Sequence, residues 1–258
     1  MSEPERSIEL EVEVLGTPED VWRAIATGPG ISSWYVPHVV EEREGGAATA
    51  SFGDEPEMQI TGRVAAWEPP HRIVFDDGEG AGGLAFEWLV EARDGGTCVV
   101  RLVNTGFGDG GDWDDQYDGL KEGWQLFLFN LQLHCRHFTG EDAVPMLPTA
   151  TWALARDEAW AKLCSSLGIP DSPVVDSRVE PSAGDGLAMG GTVVRTGPNW
   201  VGLLLDTPAP GTAILAAEHG GEGCGVSVWS YLYGPEAKAI VERDKPRWQD
   251  WLVSRSRS

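Results

Sequence analysis

Three clusters in this sequence combine residue types and spacings that can do chemistry. Gly78-Glu79-Gly80-Ala81-Gly82-Gly83 satisfies G-x-G-x-x-G, the pattern in which a close-approaching backbone and a helix N-terminus hold a pyrophosphate. Here Leu84-Ala85-Phe86-Glu87-Trp88 follows and alternates as a strand, so no helix N-terminus is available and the segment reads as a hairpin loop. His134 and His137, three apart with Cys135 between, supply two of the ligands zinc needs, but His38, His71 and His219 lack a spacing that would bring in a third. No metal site is expected. The acidic run Asp109-Gly110-Gly111-Asp112-Trp113-Asp114-Asp115 has the charge of a calcium loop without its register of glycine and closing glutamate, and reads as a cap and dipole complement for the helix that follows.

Nucleophilic catalysis finds no support: there is no G-x-S-x-G elbow, P-loop or H-E-x-x-H, and no cysteine has a recognisable histidine partner. An acid–base enzyme would need a polar group on an apolar face, and only His71 and Asn104 qualify as candidates. No catalytic residue and no cofactor is assigned.

A formal net charge of -22 opposes a phosphate-backbone partner, because nucleic-acid affinity comes largely from Lys and Arg displacing counterions. It disfavours anionic membranes as well. The four cysteines, Cys98, Cys135, Cys164 and Cys224, are widely separated, so neither a zinc knuckle nor a disulfide framework is indicated. With no basic-then-apolar leader and no run of about 18 apolar residues, the expected location is the cytoplasm.

The elements that must position any site follow from periodicity. Ile8, Leu10, Val12 and Val14 alternate with glutamates, a strand with one wet face. Thr17-Pro18-Glu19-Asp20 starts a short helix carrying Val21, Trp22 and Ile25, and a second short turn spans Ile31 to Trp34. From Val39 to Thr105 alternating segments separated by turn residues predict a meander of about six strands, with Met58, Ile60 and Val64, then Ile73 and Phe75, then Leu84, Phe86, Trp88 and Val90 on one face. A long helix is expected over Trp113 to Phe138, with Tyr117, Leu120, Trp124, Phe127, Leu128, Leu131, Cys135 and Phe138 within an arc of about 100°. Leu126, Phe129 and Leu133 form a second stripe roughly opposite and are assigned to an interdomain contact.

Residues 146–258 are read as a second domain after a first of 1–145. A helix Thr149 to Leu167, strands around Leu187–Arg195, Trp200–Asp206, Thr212–Glu218 and Gly225–Tyr233, and a final helix Pro235–Val253 repeat the order of the first half. Glu19–Ile25 matches Asp157–Leu163 in residue class, Pro70–Val74 matches Pro198–Gly202, Gly95–Cys98 matches Gly221–Cys224, and Trp124–Leu128 matches Trp248–Leu252. Four matches in order predict a duplicated unit whose second copy has lost its opening strand and shortened its meander.

Strand, two short helices, six-strand meander and long helix is the order of the START-like, or SRPBCC, superfamily. Pro18-Glu19-Asp20-Val21-Trp22-Arg23-Ala24 with Trp34 downstream, Gly95-Gly96-Thr97, Asn104-Thr105-Gly106-Phe107, and Tyr117-Asp118-Gly119-Leu120-Lys121-Glu122-Gly123-Trp124 resemble its branch named after the activator of the ninety-kilodalton heat-shock chaperone ATPase. The resemblance covers residues 8 to about 138. It implies an α+β helix-grip fold, a curved antiparallel sheet wrapped around the long helix, and the internal repeat adds a smaller, reduced unit of similar kind after it. It is poorly specific for activity, since the superfamily spans lipid carriers, receptors, cyclases and chaperone regulators.

By composition alone Phe52, Phe75, Phe86, Trp88 and Trp124, with Trp34 at the mouth, read as ordinary core. The resemblance implies a sheet curved enough to leave a cavity. The expected function is therefore binding of a small hydrophobic or aromatic molecule, with Trp34, Phe52, Met58, Ile60, Phe75, Phe86, Trp88 and Trp124 as cavity-lining candidates. A chaperone-binding module and a cyclase- or hydrolase-like enzyme are the alternatives.

Overall fold

The computed structural model describes residues 7–53, 55–78, 84–105, 112–220 and 223–256. The chain divides into two compact units, Met1–Asp142 and Ala143–Ser258. The G-x-G-x-x-G run beyond Gly78, the Gly106-Phe107 pair and the first part of the acidic run lie outside the described residues.

The first unit opens with β1 (Ile8–Leu15), which buries Ile8 and Val14 and exposes its glutamates. Helix α1 (Pro18–Ala26) follows through a capping box: the Thr17 hydroxyl accepts from the Asp20 N–H, and the Asp20 carboxylate accepts from the Thr17 N–H. Helix α2 (Gly28–Ser32) is attached so closely that a Cβ at Gly30 would lie 1.9 Å from the Arg23 carbonyl oxygen, so only glycine fits this corner.

The meander comprises β2 (His38–Val40), β3 (Ala47–Ser51), β4 (Gln59–Glu68), β5 (Arg72–Asp76), β6 (Ala85–Arg93) and β7 (Thr97–Thr105). They form one antiparallel sheet in the order β1-β7-β6-β5-β4-β3-β2. Pairing sets Phe75 opposite Phe86 and Ile73 opposite Trp88, so the aromatic side chains of neighbouring strands share a face. On the wet face Arg101 meets Glu11 across the β1–β7 pair at 2.7 Å. Helix α3 (Asp112–His137) packs against β1 and α1.

Met58 departs from the expected strand face. Pro56–Met58 is a 3-10 turn ahead of β4, and Met58 is 45% exposed. Proline fixes φ and removes an N–H, which favours the turn and delays the start of the strand to Gln59, one residue past Met58.

The second unit begins with β8 (Val144–Met146) and β9 (Thr149–Trp152), then α4 (Arg156–Leu167). After β10 (Arg178–Val179), β11 (Ser182–Gly184) and β12 (Leu187–Ala188) come β13 (Gly190–Gly197), β14 (Trp200–Thr207), β15 (Gly211–Gly220) and β16 (Gly223–Leu232), and the chain closes with α5 (Ala237–Ser256). The sheet order is β10-β13-β14-β15-β16-β8, with β9 also on β16.

Two expectations are corrected here. Thr149–Trp152 is strand, because alternate threonines and a tryptophan favour the sheet, and α4 starts only at Arg156. The opening strand of the second unit is also retained: β8 and β9 pair antiparallel with the last strand β16, as β1 pairs with β7, and β9 leads into α4 as β1 leads into α1. Pro148 separates the two pieces and hides the strand from a reading of alternation. The meander is reduced at its far edge, where two-residue β10 pairs with β13.

Candidate functional site

Between sheet and helices the first unit forms a cavity of about 220 Å³ that is open at its rim. Its floor is aromatic. The Trp34 indole lies edge-on to Trp88 at 5.6 Å between ring centroids, and Trp88 is edge-on to Trp124 at 5.5 Å. Phe86 lies 5.7 Å from Trp124. Ile25, Ile31, Ala48, Ala50, Phe75 and Leu84 complete the apolar wall. Phe52 and Ile60 also line the cavity but are 45% and 59% exposed, and so mark its rim.

Trp34 is not at the mouth. It is 1% exposed, because its Nε1 donates to the Ala24 carbonyl at 2.8 Å and draws the indole into the floor. Met58 does not line the cavity. The other seven candidates, Trp34, Phe52, Ile60, Phe75, Phe86, Trp88 and Trp124, are brought together around it.

The cavity also has polar walls that periodicity did not single out. Tyr35 sits within rings of Trp124 at 4.9 Å, Phe127 at 4.4 Å and Phe52 at 6.1 Å, and burial pushes its phenol pKa up, so the hydroxyl stays protonated. His38 lies 5.5 Å from Tyr35 and its Nδ1 is 2.7 Å from the Val36 carbonyl oxygen. Burial lowers the His38 pKa to about 4, so the ring is neutral at pH 7. Opposite, Arg63 grips Asp76 through Nε and Nη2 at 2.8 and 3.0 Å, and the guanidinium holds the carboxyl below its usual range.

The segment carrying Tyr35 and His38 is fixed from several directions. Asn130 of α3 donates to the Trp34 carbonyl at 2.9 Å. The Ser32 hydroxyl accepts from the His38 N–H at 2.9 Å and donates to the Gly28 carbonyl at 2.7 Å. A preorganised wall of this kind keeps its polar atoms in place without a bound molecule.

Neither catalytic candidate reaches the cavity. His71 is exposed on the turn between β4 and β5. Asn104 is fully buried and donates to the Ala85 carbonyl at 3.0 Å. His134 is 4% exposed whereas His137 is exposed, and among the described residues no three His, Cys, Asp or Glu side chains gather as a metal site. Leu126, Phe129 and Leu133 are buried residues of α3. Among the described residues no helix is long and apolar enough to cross a membrane.

Residues 16–134 match the family model described as activator of Hsp90 ATPase homolog 1-like protein. This part of the chain is similar to AHSA1-like domains. It holds all of the described cavity-lining residues, from Ile25 to Trp124. Similar solved structures include the di-domain ARO/CYC BexL from the BE-7585A biosynthetic pathway, at 16% identity and TM-score 0.46, covering 97% of both chains. DynU16, from the dynemicin biosynthetic locus, has 17% identity and TM-score 0.44 with 97% of both chains covered. The Aha1 dimer from Colwellia psychrerythraea has 15% identity and TM-score 0.44, covering 52% of this chain and 99% of that one. Nothing among the curated proteins matches the chain.

Proposed function

We propose that the AHSA1-like domain binds a small, mainly apolar aromatic molecule in the cavity between its sheet and α3. The observation that carries this reading is a void of about 220 Å³ floored by Trp34, Trp88, Phe86 and Trp124. Roughly 150 Å³ suffices for benzene in an apolar protein cavity, and drug-sized ligands need about 300 Å³ or more, so the occupant has one to two rings. Burial of its apolar surface supplies most of the affinity, at about 25 cal/mol per Å². Four free, buried thiols fit a reducing compartment such as the cytoplasm.

Titrating the protein with naphthalene tests this by tryptophan fluorescence, since three indoles line the void, and by thermal stabilisation that grows with ligand concentration. Ala50→Phe, which fills the cavity from β3, abolishes both responses while leaving the fold intact. No fluorescence change and no stabilisation by any small aromatic would refute the reading. The family match favours a second reading, a chaperone-regulating interaction module. Stimulation of a chaperone ATPase by the purified chain, undiminished in Ala50→Phe, would support that reading over the first.

A further inference from the structure

The floor of the cavity selects for aromatic surface but not for any substituent, and the polar wall adds that selection. Of the polar side-chain atoms around the void most are committed: Trp34 Nε1 to the Ala24 carbonyl, Arg63 and Asp76 to each other. Among the described residues Trp124 Nε1 has no hydrogen-bond partner, but it is sealed, with almost no accessible surface. Two atoms stand apart. The Val36 carbonyl can only accept, so the proton of the neutral His38 ring sits on Nδ1 and Nε2 is left with a lone pair. Among the described residues neither His38 Nε2 nor Tyr35 Oη has a hydrogen-bond partner, and both side chains line the void.

We propose that His38 and Tyr35 form a hydrogen-bonding wall that selects a neutral hydroxylated aromatic, a phenol or naphthol, over both the bare hydrocarbon and the aromatic carboxylate. A ligand hydroxyl donates to His38 Nε2 and accepts from the Tyr35 hydroxyl, satisfying two cavity-lining groups that have no protein partner among the described residues. A carboxylate has no proton to give Nε2. Nor does it find a free cation, because Arg63 is already neutralised by Asp76, and exposed Asp77 adds a further negative charge to the lining.

The proposal rests on the cavity being a binding site, and the test separates the two. The full chain is titrated with 2-naphthol, naphthalene and 2-naphthoate by tryptophan fluorescence. Wild type is expected to bind 2-naphthol about tenfold more tightly than naphthalene, the size of one or two hydrogen bonds, and 2-naphthoate more weakly than either. Tyr35→Phe keeps the ring and loses the hydroxyl. His38→Asn keeps a donor near Nδ1 for the Val36 carbonyl and deletes Nε2, so it serves where Tyr35→Phe does not fold. Each is expected to reduce the preference for naphthol over naphthalene severalfold. Equal binding of naphthol and naphthalene, or a preference surviving in the folded variants, overturns the hydroxyl selection while leaving the cavity reading intact. Failure of all three probes to bind overturns both.

Discussion

Asn130 Nδ2 of α3 donates a 2.9 Å hydrogen bond to the backbone carbonyl of Trp34, and through it the long helix holds the segment that carries Tyr35 and His38. Asn130 is fully buried, so the bond has no water to replace it. Asn130→Ala is expected to destabilise the first unit by about 1–3 kcal/mol in urea unfolding, and to weaken naphthol binding more than naphthalene binding because the polar wall moves. Unchanged stability would mean that the bond does not set the position of this segment.

Gly62 of β4 lines the cavity where the backbone of β5 comes close. A Cβ at this position would lie 2.1 Å from the Asp76 carbonyl oxygen, a backbone atom held in the sheet. Gly62→Ala should therefore cost about 1–3 kcal/mol by overpacking, and should loosen the Arg63–Asp76 pair beside it. Urea midpoints of the variant and wild type measure this. A neutral substitution would show that β4 and β5 can separate freely at this end.

Stability should fall as the solution is acidified from pH 6.5 towards 4. Burial lowers the pKa of His134 to about 4, with Arg23 acting in the same direction, and burial alone lowers that of His38 to about 4. Both are below the unfolded value of about 6.5, so between these pH values the unfolded chain binds protons that the native chain refuses. The contribution is fully present above pH 6.5, declines on acidification and is exhausted below about pH 4, amounting to about 3 kcal/mol per histidine. Carboxylates titrate in the same range, so the measured quantity is the difference between wild type and His134→Gln. That difference should shrink as pH falls from 7.5 to 4.5, and a constant difference would contradict the assignment.

All four cysteines are buried and free. Burial pushes the thiols of Cys135 and Cys164 up to about 12, and raises those of Cys98 and Cys224 as well. Since the thiolate is the reactive form, an aromatic disulfide reagent at pH 8 should label almost none in the native protein and all four in denaturant. Rapid native labelling of one thiol would locate a region that opens without global unfolding.

The sequence by itself determined the α+β helix-grip architecture of the first unit. The alternation of Ile8 to Val14, the Thr17-Pro18 cap and the long apolar arc of α3 are local signals, and each answers to a spacing that only one element satisfies. The aromatic floor was legible for the same reason, because Phe75, Phe86 and Trp88 share strand parity and the pairing of β5 with β6 preserves it. Where proline interrupts the pattern, periodicity misleads: Pro56 turns Met58 out of the strand, and Pro148 conceals the opening strand of the second unit. Only the tertiary structure decided that Tyr35 and His38 belong to the cavity. Tyr35 stands on the short irregular link between α2 and β2 and His38 is the first residue of β2, and here side-chain direction follows from no period but from contacts made by Ser32 and by Asn130, 96 residues away from Trp34. The tertiary fold likewise fixed the depth of Trp34, since one hydrogen bond to Ala24 draws it from the expected mouth of the cavity to its floor.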